Sequence, residues 1–306
     1  MSKTKNWKGL LLLPIVGSVV FVNGCSTPTQ QISAFGAACG SIGSDAQKGY
    51  EIVDASIEKK NIYDIALNPT IVDSSSPIFS QKIMDERDRL AQRTKMLGEL
   101  TDYAQALQQL ANKNFQTSID SSSKDLSGAL KSLNGDYKKA TGNDSGLSDN
   151  DIYILSTVVD AAGSAYLEWK RREYIKAIVI KADPAVQKVT ALLTHEFADI
   201  SKVVGNQLNI VETDYEEAFK TESAGMPFEA RVQMLQNIEV AHENYINDQK
   251  FYDSLAQAVA KIGVTHAKLK SSLEQNKWTS KEMYEQAQEL VSWAKTVKSF
   301  YQSLKK

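Results

Sequence analysis

Apolar residues recur along this chain at intervals of three and four, and no comparable stretch alternates apolar with polar positions. That period places side chains on one face of a helix and not on one face of a strand. Ala46, Tyr50, Val53 and Ile57 form a first stripe within residues 45–60. Ser76-Pro77 has the form of a cap followed by a helix-opening proline. Beyond it Ile83, Leu90, Leu97, Ala104 and Ala111 repeat every seven residues, interleaved with Leu100 and Leu107. This predicts a helix to about Lys113 with one narrow seam that needs a partner.

Phe115, Ile119, Leu126, Leu130, Leu133 and Tyr137 carry the period onward, with a kink or break expected at Ser121-Ser122-Ser123. Gly142 to Gly146 is a loop, and Ser148 with Asp151 makes a weak capping box. Ile152, Leu155, Val159, Ala162, Tyr166 and Trp169 follow as the next stripe. Asp183-Pro184 repeats the cap-plus-proline signal, so a new helix is expected from there, its stripe running from Val186 through Leu193, Phe197 and Val204 to Tyr215. Pro227 opens another, reaching Glu274. Thr279 with Glu282 forms a capping box and Trp278 with Met283 a hydrophobic staple, which start the last helix.

Prolines occur only at 14, 28, 69, 77, 184 and 227, and no repeat of 20 to 50 residues is present. The fold class is therefore all-α: an elongated up-and-down bundle of about five or six long amphipathic helices over residues 45–306. Residues 25–44 combine Pro28 with a Gly-, Ala- and Ser-rich run, Ala34 to Ser44, and are expected to form a flexible tether. Gly98, Gly163, Gly205 and Gly263 interrupt helical stripes, which points to close helix contacts or bends.

The first 24 residues carry a different signal. Lys3, Lys5 and Lys8 precede an apolar stretch from Leu10 to Val22 that is short for a membrane span, as in a secretory signal peptide. Val22-Asn23-Gly24-Cys25 then resembles the bacterial lipobox, with an aliphatic residue at −3 and a small one at −1, although Asn23 is unusual at −2. The resemblance covers only this segment. It implies cleavage before Cys25, a diacylglycerol on the Cys25 thiol, and an acyl chain such as palmitate on the new amino group. With Ser26 in place of aspartate after the acceptor, it implies lipid anchoring at the cell outer membrane, facing the periplasm. Cys39, after Gly36-Ala37-Ala38, lacks the aliphatic −3 residue and fits this role poorly.

Charge narrows the partners. The 306 residues hold 35 Lys and Arg against 37 Asp and Glu, a net −2. Removing residues 1–24 with their three lysines leaves 32 against 37, a mildly acidic body at −5. Such a chain lacks the basic field of a nucleic-acid binder. Two cysteines and three histidines are too few for a disulfide framework or a Cys-rich zinc site. Cys39, flanked by small residues, reads as a buried packing residue.

The candidate chemistry is sparse. His195-Glu196 with Asp199 matches only half of the H-E-x-x-H zinc pattern, since the second histidine is missing. His242-Glu243 and His266 fall in no ligand spacing. Neither a G-x-S-x-G elbow nor a phosphate-binding glycine loop occurs. These residues read as polar edges of amphipathic helices, and Lys170-Arg171-Arg172 as a solvated face beside Trp169. No catalytic, cofactor or metal residue is assigned. The sequence points to a non-enzymatic, lipid-anchored envelope protein serving as scaffold, spacer or protein-docking module, with protein partners or self-association through helix faces. A membrane-active helical protein of the pore-forming kind is the alternative, for which Ile152 to Leu167, broken by Asp160, is the best inserting segment.

Overall fold

The computed structural model describes residues 28–67, 81–112, 119–147, 164–278 and 281–304. Among these residues there are no strands and seven helical elements, six α-helices and one 3₁₀ turn, against the expected five or six helices. They are α1 (Pro28–Leu67), α2 (Gln81–Ala111), α3 (Ile119–Thr141), α4 (Ser164–Glu222), the 3₁₀ turn Ser223–Gly225, α5 (Phe228–Glu274) and α6 (Lys281–Ser303). The signal peptide, Cys25, Ser76-Pro77, the 152–162 stripe and Thr279 lie outside the described residues.

Helices α1 and α2, α4 and α5, and α5 and α6 pack side by side and antiparallel. On α1 and α2, Gly36 abuts Ala104 and Gln108, whereas Gly43 abuts Thr101. On α4 and α5 the order reverses in the same way, with Lys176 bonded to Asn276, Asp183 to His266, and Ser201 to Asp253. Lys268 meets Glu282 and Lys261 meets Gln286 between α5 and α6. Helix α1 closes the assembly by packing on α2, α5 and α6. Its Tyr50 ring lies 5.0 Å from Phe197 of α4, and its Gly49 carbonyl accepts from the Tyr252 hydroxyl of α5 at 2.7 Å.

The core corrects the expected tether. Residues 28–44 are helical and form the first turns of α1, with Ile32, Phe35, Ala38, Cys39 and Ile42 buried. The glycines that read as flexibility serve contact instead. A Cβ at Gly36 would stand 2.4 Å from the Ala104 carbonyl oxygen, so only glycine admits α2 at this distance. Gly263 and Gly205 act likewise: a Cβ there would meet Thr190 Oγ1 at 2.6 Å and Tyr245 Cε2 at 3.3 Å.

A second correction falls at Asp183-Pro184. No helix starts there, because α4 continues through Pro184. Proline removes one main-chain donor and clashes with the preceding turn, a penalty of about 3 kcal/mol in a helix interior. Val179, Ala182, Ala185, Val186 and Val189 are all fully buried on either side, and their burial outweighs that local penalty. Likewise α3 runs unbroken through Ser121-Ser122-Ser123.

Candidate functional site

Three polar or exposed features stand out from an otherwise apolar bundle. The first is the outer part of the α4–α5 hairpin. At about 1.5 Å per residue, the 59 residues of α4 extend about 90 Å. Among the described residues from Thr213 to Lys250 only Ala241 is buried. Phe228 is 67% exposed, and Val232, Leu235 and Val240 are exposed with it. The spacing of Phe228, Val232 and Leu235 sets them on one face of α5. Within residues 206–245 eight acidic residues (Glu212, Asp214, Glu216, Glu217, Glu222, Glu229, Glu239, Glu243) stand against Lys220 and Arg231, a net −6. Apolar residues exposed on one face of a segment with net negative charge have the composition of a contact surface.

The opposite end of the molecule holds the start of α1. Ser33 Oγ lies 3.5 Å from Asn112 Oδ1, just past α2, and Arg171 Nη1 donates to the Asn112 carbonyl at 3.2 Å. Arg171, early in α4, is thereby buried, which corrects the solvated-face reading of Lys170-Arg171-Arg172. The Arg172 guanidinium lies 6.0 Å from the Trp278 ring, and Trp169 is 58% exposed at this end. From Arg171 to the 3₁₀ turn, α4 spans about 75 Å.

The second feature is a polar chain inside the core that sequence reasoning missed. His266 of α5 is fully buried, with Nε2 2.8 Å from the Tyr103 hydroxyl of α2 and Nδ1 2.9 Å from Asp183 Oδ1 of α4. Asp183 also accepts from Gln187 Nε2 at 3.1 Å and Lys270 Nζ at 3.3 Å. Burial opposes its ionisation, but the His266 and Gln187 hydrogen bonds and the charge of Lys270 outweigh it and hold the carboxyl at about 2. The available signal was His266 lying between Ile262 and Leu269 on the apolar stripe, where a histidine needs a buried partner. Cys39 is packed in the same core. Burial pushes its thiol well above the usual range, which keeps it protonated and a poor nucleophile.

The third feature surrounds His195, Glu196 and Asp199. His195 Nδ1 lies 2.9 Å from Asp199 Oδ2 on the exposed face of α4. Glu196 turns the other way and pairs with Arg93 Nε of α2 at 2.6 Å, both side chains nearly buried. The structure thus divides the half-motif between two unrelated contacts. His242 is exposed far along α5, and among the described residues no three His, Cys, Asp or Glu side chains are grouped to hold a metal ion.

Comparison with family models, with curated proteins and with solved structures gave no match.

Proposed function

We propose that this protein is a non-enzymatic docking module of the bacterial cell envelope, held through lipid on Cys25 at the outer membrane and presenting the outer α4–α5 hairpin to a protein partner. One observation carries the reading: a long two-helix arm of net negative charge whose α5 face exposes Phe228, Val232 and Leu235. Cys25 precedes Pro28 by three residues in the sequence, and α1 starts at Pro28 at the end of the bundle opposite the arm. An anchor there leaves the arm tens of ångströms away, free to meet another protein. Two or three acyl chains make such an anchor stable, since each buried CH₂ contributes about 0.8 kcal/mol. The negative arm disfavours an anionic membrane as its target. Among the described residues no helix is long and apolar enough to cross a membrane.

The test is crosslinking in intact cells with mass spectrometry of the captured chains, comparing the parent with Cys25→Ala and with Phe228→Ser/Leu235→Ser. A docking role requires recurrent partners that disappear in both variants while the fold persists. Self-crosslinks alone, together with dye release from liposomes by the purified protein, would replace docking with membrane activity. The anchor itself is tested by carbonate extraction, and retention of Cys25→Ala in the membrane fraction would refute it.

A further inference from the structure

Cys25 precedes Pro28 by three residues, and three residues extend at most about 11 Å. A lipid on Cys25 therefore brings the end of the bundle at which α1 starts against the membrane surface. What that end exposes has to suit the headgroups. Trp169, early in α4, is 58% exposed. Two residues on, Arg171 reaches the Asn112 carbonyl beside Ser33, which sets Trp169 at the α1 end. The Arg172 guanidinium lies 6.0 Å from the Trp278 ring and Lys176 Nζ bonds Asn276 Oδ1 at 2.7 Å, so early α4 and the turn after α5 form one face. Lys277, beside Trp278, is exposed. Residues 168–176 and 274–282 hold six Lys and Arg against four Glu, a net +2, and residues 28–44 of α1 hold no charged side chain. An indole ring favours the boundary between headgroups and acyl chains, and neighbouring cations meet lipid phosphates. An exposed tryptophan beside basic residues, at the end that the tether holds to the bilayer, is thus matched to a phospholipid headgroup layer.

We propose that this end face seats in the headgroup layer of the membrane that holds Cys25, with Trp169 at the acyl boundary, Trp278 beside it and Lys277 on a lipid phosphate. The tether and the two tryptophans are separate points of contact, so the bundle stands upright instead of swinging on its N-terminus. Helix α4 then carries the 3₁₀ turn about 75 Å from the surface. An arm that tips towards anionic lipid meets repulsion from its own net −6. The inference rests on the attachment at Cys25 proposed above and goes beyond it: the anchor sets where the chain is held, and the end face sets how it stands.

The test is tryptophan quenching by lipids brominated on the acyl chains just below the headgroups. The full chain is purified from cell membranes and reconstituted into vesicles of phosphatidylethanolamine and phosphatidylglycerol, in a Trp7→Phe background that leaves Trp169, Trp278 and Trp293. Trp293, well inside α6 and about 18 Å along it from Lys281, is the internal reference. Brominated lipid is expected to lower the emission by roughly a third or more, but by less than about a tenth in Trp169→Phe/Trp278→Phe. Adding Phe228→Trp to that variant, at an exposed site of the arm, leaves the quenching below about a tenth. An unquenched parent would mean that the end face stands clear of the lipid, and quenching restored by Phe228→Trp that the chain lies flat. Either overturns the proposal, as does quenching that survives Trp169→Phe/Trp278→Phe. The mass of the N-terminal peptide reads the anchor separately. An unlipidated Cys25 in a chain still held by residues 1–24 would refute the lipid and leave the end face to be judged by the quenching, because either attachment precedes α1. Recovery of the chain only in the soluble fraction would overturn both.

Discussion

His266 Nδ1 stands 2.9 Å from Asp183 Oδ1, and this contact binds α5 to α4 at the level where α2 delivers the Tyr103 hydroxyl to the other ring nitrogen. Phe35 of α1 lies 5.8 Å from the same ring, so one buried histidine is shared by four helices. Asp183→Asn should weaken the fold by about 1–3 kcal/mol, because the His266 and Lys270 donors lose their charged acceptor. Tyr103→Phe should cost about 1 kcal/mol, and the double variant should cost less than the sum, as members of one network do. Urea denaturation of the three variants measures the coupling.

Two carboxyls with opposite shifts predict an acidic stability optimum. Asp183, held at about 2, contributes stability above the unfolded value near 4 that is lost as pH falls through 4 towards 2. Asp248, which partial burial pushes to about 6, takes up a proton more readily in the folded chain, so stability rises as pH falls from 6 towards 4. Burial raises Glu196 in the same sense. Thermal melting should therefore peak between about pH 4 and 5. Asp248→Asn should stabilise the protein at pH 7 by about 1–2 kcal/mol and flatten the slope between pH 4 and 6.

The glycines divide by environment, and substitution should separate them. At Gly36 a methyl group meets main-chain oxygen at 2.4 Å, so Gly36→Ala forces α1 and α2 apart and should destabilise by about 1–3 kcal/mol. Gly128 and Gly135, on exposed positions of α3, have nothing within 4 Å of an added Cβ. Alanine at either should stabilise by about 0.5–1 kcal/mol. Paired chemical denaturation curves read both signs in one experiment.

Cys39 should resist thiol reagents. It is 1% exposed and its thiol is held protonated by burial. In a Cys25→Ala background, labelling by a disulfide reagent should be at least about 100-fold slower in the folded chain than in urea, a ratio set by the free energy of opening. Comparable rates in the two conditions would mean that the first turns of α1 are not packed as described.

The outer arm should contribute to contact and little to stability. Phe228 and Leu235 are exposed, so Phe228→Ser/Leu235→Ser should shift the denaturation midpoint by no more than a fraction corresponding to about 0.5 kcal/mol per site. A large loss of stability would place these residues in an internal contact and remove the argument for an open face.

Much of the fold was legible because helical periodicity is a local property. Pro227 and Glu274 bracket α5 as its pattern predicted, and the seam of Leu90, Leu97, Ala104 and Ala111 is buried. Local signals failed where tertiary burial outweighed them. Pro184 carries a strong start signal, yet the apolar stripe on both sides keeps α4 intact. Gly36, Gly40 and Gly43 have the composition of a tether, yet Ile32, Phe35, Cys39, Ile42, Ala46 and Tyr50 continue one helical stripe straight through them.

The sequence by itself determined the class of the molecule, because three-and-four spacing commits each segment to an amphipathic helix whatever surrounds it. The resemblance of the segment ending at Cys25 to a lipobox is likewise read from order alone. Only the tertiary structure decided which helices share a face, and with that the functional geography. The Tyr103–His266–Asp183 chain joins residues up to 163 positions apart, and Arg93 meets Glu196 across more than 100. No local pattern records such pairings, since buried polar groups are satisfied by whatever neighbours the packing of whole helices brings to them.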